Sequence, residues 1–162
     1  IQAFYDENKS LFVIEEPIIK GVFIKLPASA SDLNKVRKWY VDSSERSLDE
    51  LEKYCIMNAV RYDIFYDTWT PISQIESMMP VLSNSMEKML EQGKSIEVCD
   101  DSFIYFVNVT DMKGRGEQEP LEKASAEIRR LLRNNSEVNF IEHIKQELYE
   151  NAVAKDRVVL FN

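Results

Sequence analysis

Histidine is all but missing from this chain: His143 is the only one among 162 residues. Chemistry that leans on imidazole is starved at the outset. A Ser-His-Asp relay has one histidine to draw on, no Gly-x-Ser-x-Gly elbow is present, and nothing at metal-ligand spacing stands beside His143. His143 reads as a solvated residue on a helix surface, and no metal site is expected. Cysteine is scarce as well. Cys55 and Cys99 lie far apart without Cys-x-x-Cys spacing, which supports neither a zinc site nor a disulfide framework, and both read as small core residues whose redox state stays open. Only four glycines are present. Gly114-Arg-Gly116 is too short to cradle phosphate and matches neither a P-loop nor a dinucleotide fingerprint, so it reads as a turn and no cofactor is expected. Long apolar runs are lacking too. The longest, around residues 103–109, has the length of a strand rather than the roughly 18 to 20 residues that cross a bilayer, so no membrane span is expected. Positive charge is in deficit, with 20 basic against 28 acidic residues and a formal net charge of -8. That field disfavours phosphate backbones, and nucleic acid is excluded as an expected partner.

What the chain does hold is enough apolar side chain, 44% of the sequence, to fill a core in one domain with helical flanks. It opens on Ile1 rather than Met, and a mature form or an excised fragment is expected. Apolar residues at Ala3, Phe4, Leu11 and Phe12 among charged ones read as a short amphipathic helix over residues 2–12. Residues 18–26, β-branched and aromatic between Pro17 and Pro27, read as the first strand. Ser31 or Asp32 caps a helix carrying Leu33, Val36, Trp39 and Tyr40 on one face. Ser47-Leu48-Asp49-Glu50 has the form of a capping box, opening a longer helix to about residue 63. Residues 66–69 read as a brief strand, Thr70-Pro71 as the start of a helical turn through Met79, and residues 83–92 as another short helix. A hairpin follows, from strands over 95–98 and 102–111 joined through Asp100-Asp101. The acidic pairs Glu15-Glu16 and Asp100-Asp101 read as solvated turns, since neighbours on a strand point to opposite faces and cannot act together as acid and base. From residue 121 to 154 the pattern is helical, with Asn134-Asn135-Ser136 as an expected break. Residues 157–161 have strand composition and would need an edge to pair with.

Three patches give this order a likeness. Ile1-Gln-Ala-Phe-Tyr-Asp-Glu-Asn-Lys-Ser-Leu-Phe12 resembles the helix leading into a parvulin module. Pro17-Ile-Ile-Lys-Gly-Val-Phe-Ile24 resembles the first strand of that module, and Phe103-Ile-Tyr-Phe-Val-Asn-Val109 its last. The tail, through Ile128-Arg-Arg-Leu-Leu-Arg-Asn-Asn, Phe140-Ile-Glu and Leu148-Tyr-Glu-Asn-Ala-Val, resembles the family's closing helix. Together they are similar to the parvulin-type peptidyl-prolyl isomerase chaperones of the SurA and PrsA type. The resemblance implies an α+β fold: a small antiparallel sheet covered by helices on one side, a leading helix over residues 1–16, the parvulin-like unit over 17–112, and C-terminal helices with a terminal strand over 113–162. It also implies an exported or periplasmic bacterial protein that binds unfolded or extended polypeptides, and leaves open a membrane anchor in an N-terminal segment outside this chain.

The departures matter as much. Family members that catalyse carry a histidine on the first strand and another on the last, and the matching positions here are Phe23 and Tyr105. No catalytic residue is therefore assigned. Proline isomerisation needs no covalent step, only a shaped dry pocket that favours the twisted amide over a resonance barrier of about 18 to 20 kcal/mol. Phe23, Met78, Met79, Phe103 and Tyr105 are the residue types that would line such a pocket, because proline rings stack on aromatic faces. The competing reading makes Phe23, Phe103 and Tyr105 ordinary alternating strand residues. Methionines 57, 78, 79, 86 and 89 suit either an adaptable groove or an irregular core. Three functions stay open: a non-catalytic polypeptide-binding domain, an isomerase with an aromatic pocket, and a structural docking domain.

Overall fold

A strand that is apolar at nearly every position needs cover on both of its faces. Two such strands form the centre of this protein. In the computed structural model, which describes residues 1–80 and 85–159, β1 (Ile18–Pro27) and β5 (Phe103–Lys113) pair antiparallel along their whole length. The other elements, in chain order, are α1 (Gln2–Glu7), a 3-10 turn (Lys9–Leu11), α2 (Leu33–Trp39), α3 (Glu45–Asn58), β2 (Arg61–Ile64), β3 (Thr70–Pro71), α4 (Ile72–Glu76), α5 (Ser85–Gln92), β4 (Ser95–Cys99) and α6 (Leu121–Val159). The fold is α+β with an open antiparallel sheet in the order β2-β1-β5-β4, and β3 takes the rest of the β1 edge beside β2.

The contacts divide into two compact units: residues 13–119, which hold the sheet, and residues 1–12 with 120–162, which hold α1 and α6. In the sheet unit both faces are buried, where cover on one side was expected. Ile19, Phe23, Tyr105, Val107 and Val109 pack with Ile72, Ile75, Met79 and Met86 of the α4–α5 region. Val22, Ile24, Leu26, Ile104 and Phe106 turn the other way, onto Val36, Tyr40, Leu51 and Cys55 of the α2–α3 region. Arg37 adds a two-pronged ion pair from α2 to Glu97 on β4, with its closest N–O distance 2.7 Å.

Gly21 stands at a bulge that shifts the register of β1 against β5 between Lys20 and Gly21. A Cβ there would lie 2.0 Å from the Asn108 carbonyl oxygen, so only glycine fits. Gly116, at φ +79, serves the turn after β5 with a backbone that side chains resist.

Several boundaries differ from the sequence reading. The third helix starts at Glu45, earlier than the Ser47 box, because Ser44 is its N-cap and accepts the Ser47 N–H through its hydroxyl. It stops at Asn58 rather than near residue 63, since Val60 N–H is drawn to the Lys25 carbonyl of β1. The strand expected at 66–69 lies instead at Arg61–Ile64, with a turn following it. The long C-terminal helix runs unbroken through Asn134-Asn135-Ser136, where the Ser136 hydroxyl returns a bond to the Leu132 carbonyl. Arg157, Val158 and Val159 continue that helix instead of starting a strand, because a helix satisfies its backbone internally and a strand needs an edge. Leu160 and Phe161 lie outside the described residues, as do Ser83 and Asn84 of the expected 83–92 helix.

In the other unit, Tyr5 and Phe12 stack at 5.5 Å and pack with Ala124 and Ile128. Leu121 and Leu132 extend the same α6 face at helical spacing.

Candidate functional site

Antiparallel register decides which of the five residues drawn from the sequence share a face. Phe23 pairs with Val107, Lys25 with Tyr105, and Pro27 with Phe103. Residues two apart on a strand share a face, so Phe23, Lys25, Phe103 and Tyr105 all stand on the face that α4 and α5 cover. Met78 and Met79, in the turn after α4, pack onto that same cluster. All five residues are therefore neighbours in one apolar assembly.

Their depth differs. Phe23 is wholly buried, and Tyr105 and Met79 are nearly so, while Met78 and Phe103 stay partly exposed. A ligand approaching this face meets Met78 and Phe103 first. Lys25, which the sequence did not single out, and Asp100, which it gave only as half of a solvated acidic turn, supply the polar edge. Lys25 places its ammonium 4.1 Å from the centre of the Phe103 ring and 5.4 Å from that of Tyr105, a cation–π arrangement. Asp100 accepts the Tyr105 hydroxyl at 2.8 Å, the Ser102 N–H at 2.8 Å and the Phe103 N–H at 2.7 Å. The signals were present: Lys25 follows Phe23 by two, and an Asp two residues before a Ser at a hairpin bend is the pattern of an Asx turn.

The electrostatics are those of a settled hydrogen-bond network. The Ser102 amide, then the Tyr105 hydroxyl and the Phe103 amide, hold the Asp100 carboxyl below its ordinary range, with Lys25 adding to the effect. Burial, and then the bond to Asp100, pushes the Tyr105 phenol upward, so it stays protonated at neutral pH. Its proton is already committed. This edge can stack a ring or hold an apolar side chain, but its acid and its donor satisfy each other.

A separate cleft of about 240 Å³ opens at the far end of β5, lined by Leu90, Lys94, Val109, Thr110, Asp111 and Met112. None of the five sequence-chosen residues lines it. Asp111 turns its carboxylate onto the Met112 N–H at 2.9 Å, which occupies a backbone donor beside the cleft. Among the described residues no three His, Cys, Asp or Glu side chains gather in positions to ligate a metal. No helix among them is long and apolar enough to cross a membrane. His143 stands exposed on α6 with Nε2 3.7 Å from Glu147. Compared with family models, with curated proteins and with solved structures, the chain matches none.

Proposed function

We propose that this chain is a polypeptide-binding module of the parvulin-chaperone type, holding unfolded or extended segments of exported proteins without isomerising them. The observation that carries the reading is on α6. Val138, Phe140, Ile141, Ile144, Leu148 and Tyr149 are between 39% and 72% exposed, far more large apolar surface than one solvated helix normally presents. Phe140, Ile144 and Leu148 recur every four residues, the spacing that lines one side of a helix and accepts an apolar partner. Two further facts support the reading. The order of elements in the sheet unit, a strand, two helices, two short strands, two helices and a closing hairpin, is similar to the order that the resemblance implies, with one short strand and one helix more. Where catalytic relatives would carry imidazole, this chain carries a buried Phe23 and a Tyr105 bound to Asp100. Export to the periplasm or beyond belongs to the same proposal.

The test pairs two assays on the intact chain. Aggregation of a thermally unfolded reporter protein should be suppressed, and a Phe140→Ser, Ile144→Ser, Leu148→Ser variant should lose that effect while keeping its helical circular dichroism. Cis-to-trans relaxation of a short X-Pro peptide should not accelerate with added protein. The isomerase reading draws on the partly exposed Met78 and Phe103 beside Tyr105 and Lys25. Acceleration that disappears in folded Phe23→Ala or Tyr105→Ala variants would replace the proposal with that reading. A chain that neither suppresses aggregation nor accelerates relaxation would leave the structural docking role.

A further inference from the structure

Among the described residues the outer edge of β2 pairs with no strand, and its direction can be worked out from one exchange of bonds. Phe65 N–H donates to the Gly21 carbonyl at 2.8 Å, and Gly21 N–H donates to the Phe65 carbonyl at 3.4 Å. Backbone groups of successive strand residues point to alternate sides, so Asp63 and Arg61 also face their β1 partners, Phe23 and Lys25. Tyr62 and Ile64 must then present both N–H and C=O away from β1. Among the described residues no strand lies on that side, since β2 ends the sheet.

Sheet edges are ordinarily blunted by charge, proline or bulges. The opposite edge follows that rule. On β4, Ile96 and Val98 turn into the core, leaving Ser95, Glu97 and Cys99 outward, with Arg37 clasping Glu97. At β2 the charges of Arg61 and Asp63 neutralise each other at 3.0 Å. The aliphatic side chains there are left open instead: Ile56, Met57, Val60 and Ile64, where α3 runs into β2, are between 43% and 85% exposed.

We propose that the β2 edge is a docking site for an extended segment of another polypeptide, which adds as a further strand beside Tyr62 and Ile64. Two donors and two acceptors, repeating about 6.8 Å apart, match the groups of an extended backbone and of no helix or compact ligand. Val60 and Ile64 select a segment with apolar residues at alternate positions. A second copy of this chain is the poorer occupant. Four strand residues and four side chains fall well short of the roughly 1,000 Å² that a stable dimer contact buries. The site rests on the polypeptide-binding reading and gives it a location separate from α6.

The experiment uses the intact chain and an acetylated ten-residue peptide of alternating valine and threonine with lysine at each end. Binding should slow amide exchange at Tyr62 and Ile64 by about tenfold or more at saturation. The same peptide, methylated on every backbone nitrogen of its central five residues, should bind about fivefold or more weakly, the loss expected for one or more backbone hydrogen bonds. Ile64→Pro removes an outward N–H while sparing the β1 ladder and should weaken binding similarly. Should that variant unfold, Ile64→Lys places a charge on the edge with the backbone intact. Equal binding of the methylated peptide, protection at other amides, or no binding would overturn the proposal. A sedimenting dimer whose Tyr62 and Ile64 amides are protected without peptide would assign the edge to a second copy and overturn it as well. If aggregation suppression depends on the α6 apolar residues while the peptide ignores β2, the strand-addition site falls and the polypeptide-binding reading stands. If both effects are missing, the two fall together.

Discussion

Replacing Gly21 by alanine should damage this fold more than any other exchange of one methyl group. The added Cβ would sit 2.0 Å from the Asn108 carbonyl oxygen, 3.0 Å from its carbon and 3.2 Å from the Val109 Cα, all backbone atoms of β5. Carbon and carbonyl oxygen touch at about 3.3 Å, so relief requires β1 and β5 to part by about an ångström. No side chain can rotate out of the way. Overpacking of this kind costs about 1–3 kcal/mol, and stretching the neighbouring ladder bonds between Val22 and Asn108 adds about 1 kcal/mol each, for a total of about 4 kcal/mol. With a urea slope of about 2 kcal/mol/M the unfolding midpoint should fall by about 2 M. Gly93→Ala is the control, because nothing lies within 4 Å of a Cβ there. It should be neutral or stabilise by about 0.5 kcal/mol through the unfolded chain. A Gly21→Ala midpoint within experimental error of the parent would refute the close approach of β1 and β5, and with it the register that places Phe23 beside Tyr105.

Three further outcomes follow from burial and hydrogen bonding. Burial pushes the Cys55 thiol up to about 12, whereas Cys99, expected in the core, is exposed at the end of β4, so a maleimide should label one thiol per folded chain, at Cys99, and the second only in denaturant. Tyr66 keeps a buried hydroxyl with no partner among the described residues, and burial raises it to about 12. Tyr66→Phe should therefore be neutral or stabilise by up to about 1 kcal/mol in thermal unfolding. A folded pKa above the unfolded value near 10 means that stability is fully present below pH 10 and lost as pH rises towards 12, so the variant should also soften the alkaline limb. Tyr105→Phe should raise the Asp100 pKa measured by NMR, because it removes a donor that holds the carboxyl down; an unmoved Asp100 would break the link between the two residues.

Legibility in the sequence followed range. The two central strands were visible at 18–26 and 102–111 because a continuous β-branched and aromatic run is a local property. β2 was not, since Arg61-Tyr-Asp-Ile64 is short, carries two charges and reads as the end of the helix before it, whereas pairing with β1 from Val22 to Lys25 makes it a strand. The five residues proposed for an aromatic pocket do lie together, yet sequence could not say that Phe23 would be covered completely.

Composition and short-range pattern by themselves determined the two central strands, the negative net charge, the poverty of imidazole chemistry and the helical character of residues 121–154. These depend on side-chain identity and on periods of two or about 3.6 residues, which need no distant partner. Only the tertiary structure decided that both faces of the sheet are covered, that Lys25 and Asp100 join Phe103 and Tyr105, that Gly21 is sterically required, and that β2 keeps an open edge. Each of those is a contact between segments far apart in the chain, and register, which sets every such contact, is a property of the pair of strands and not of either one.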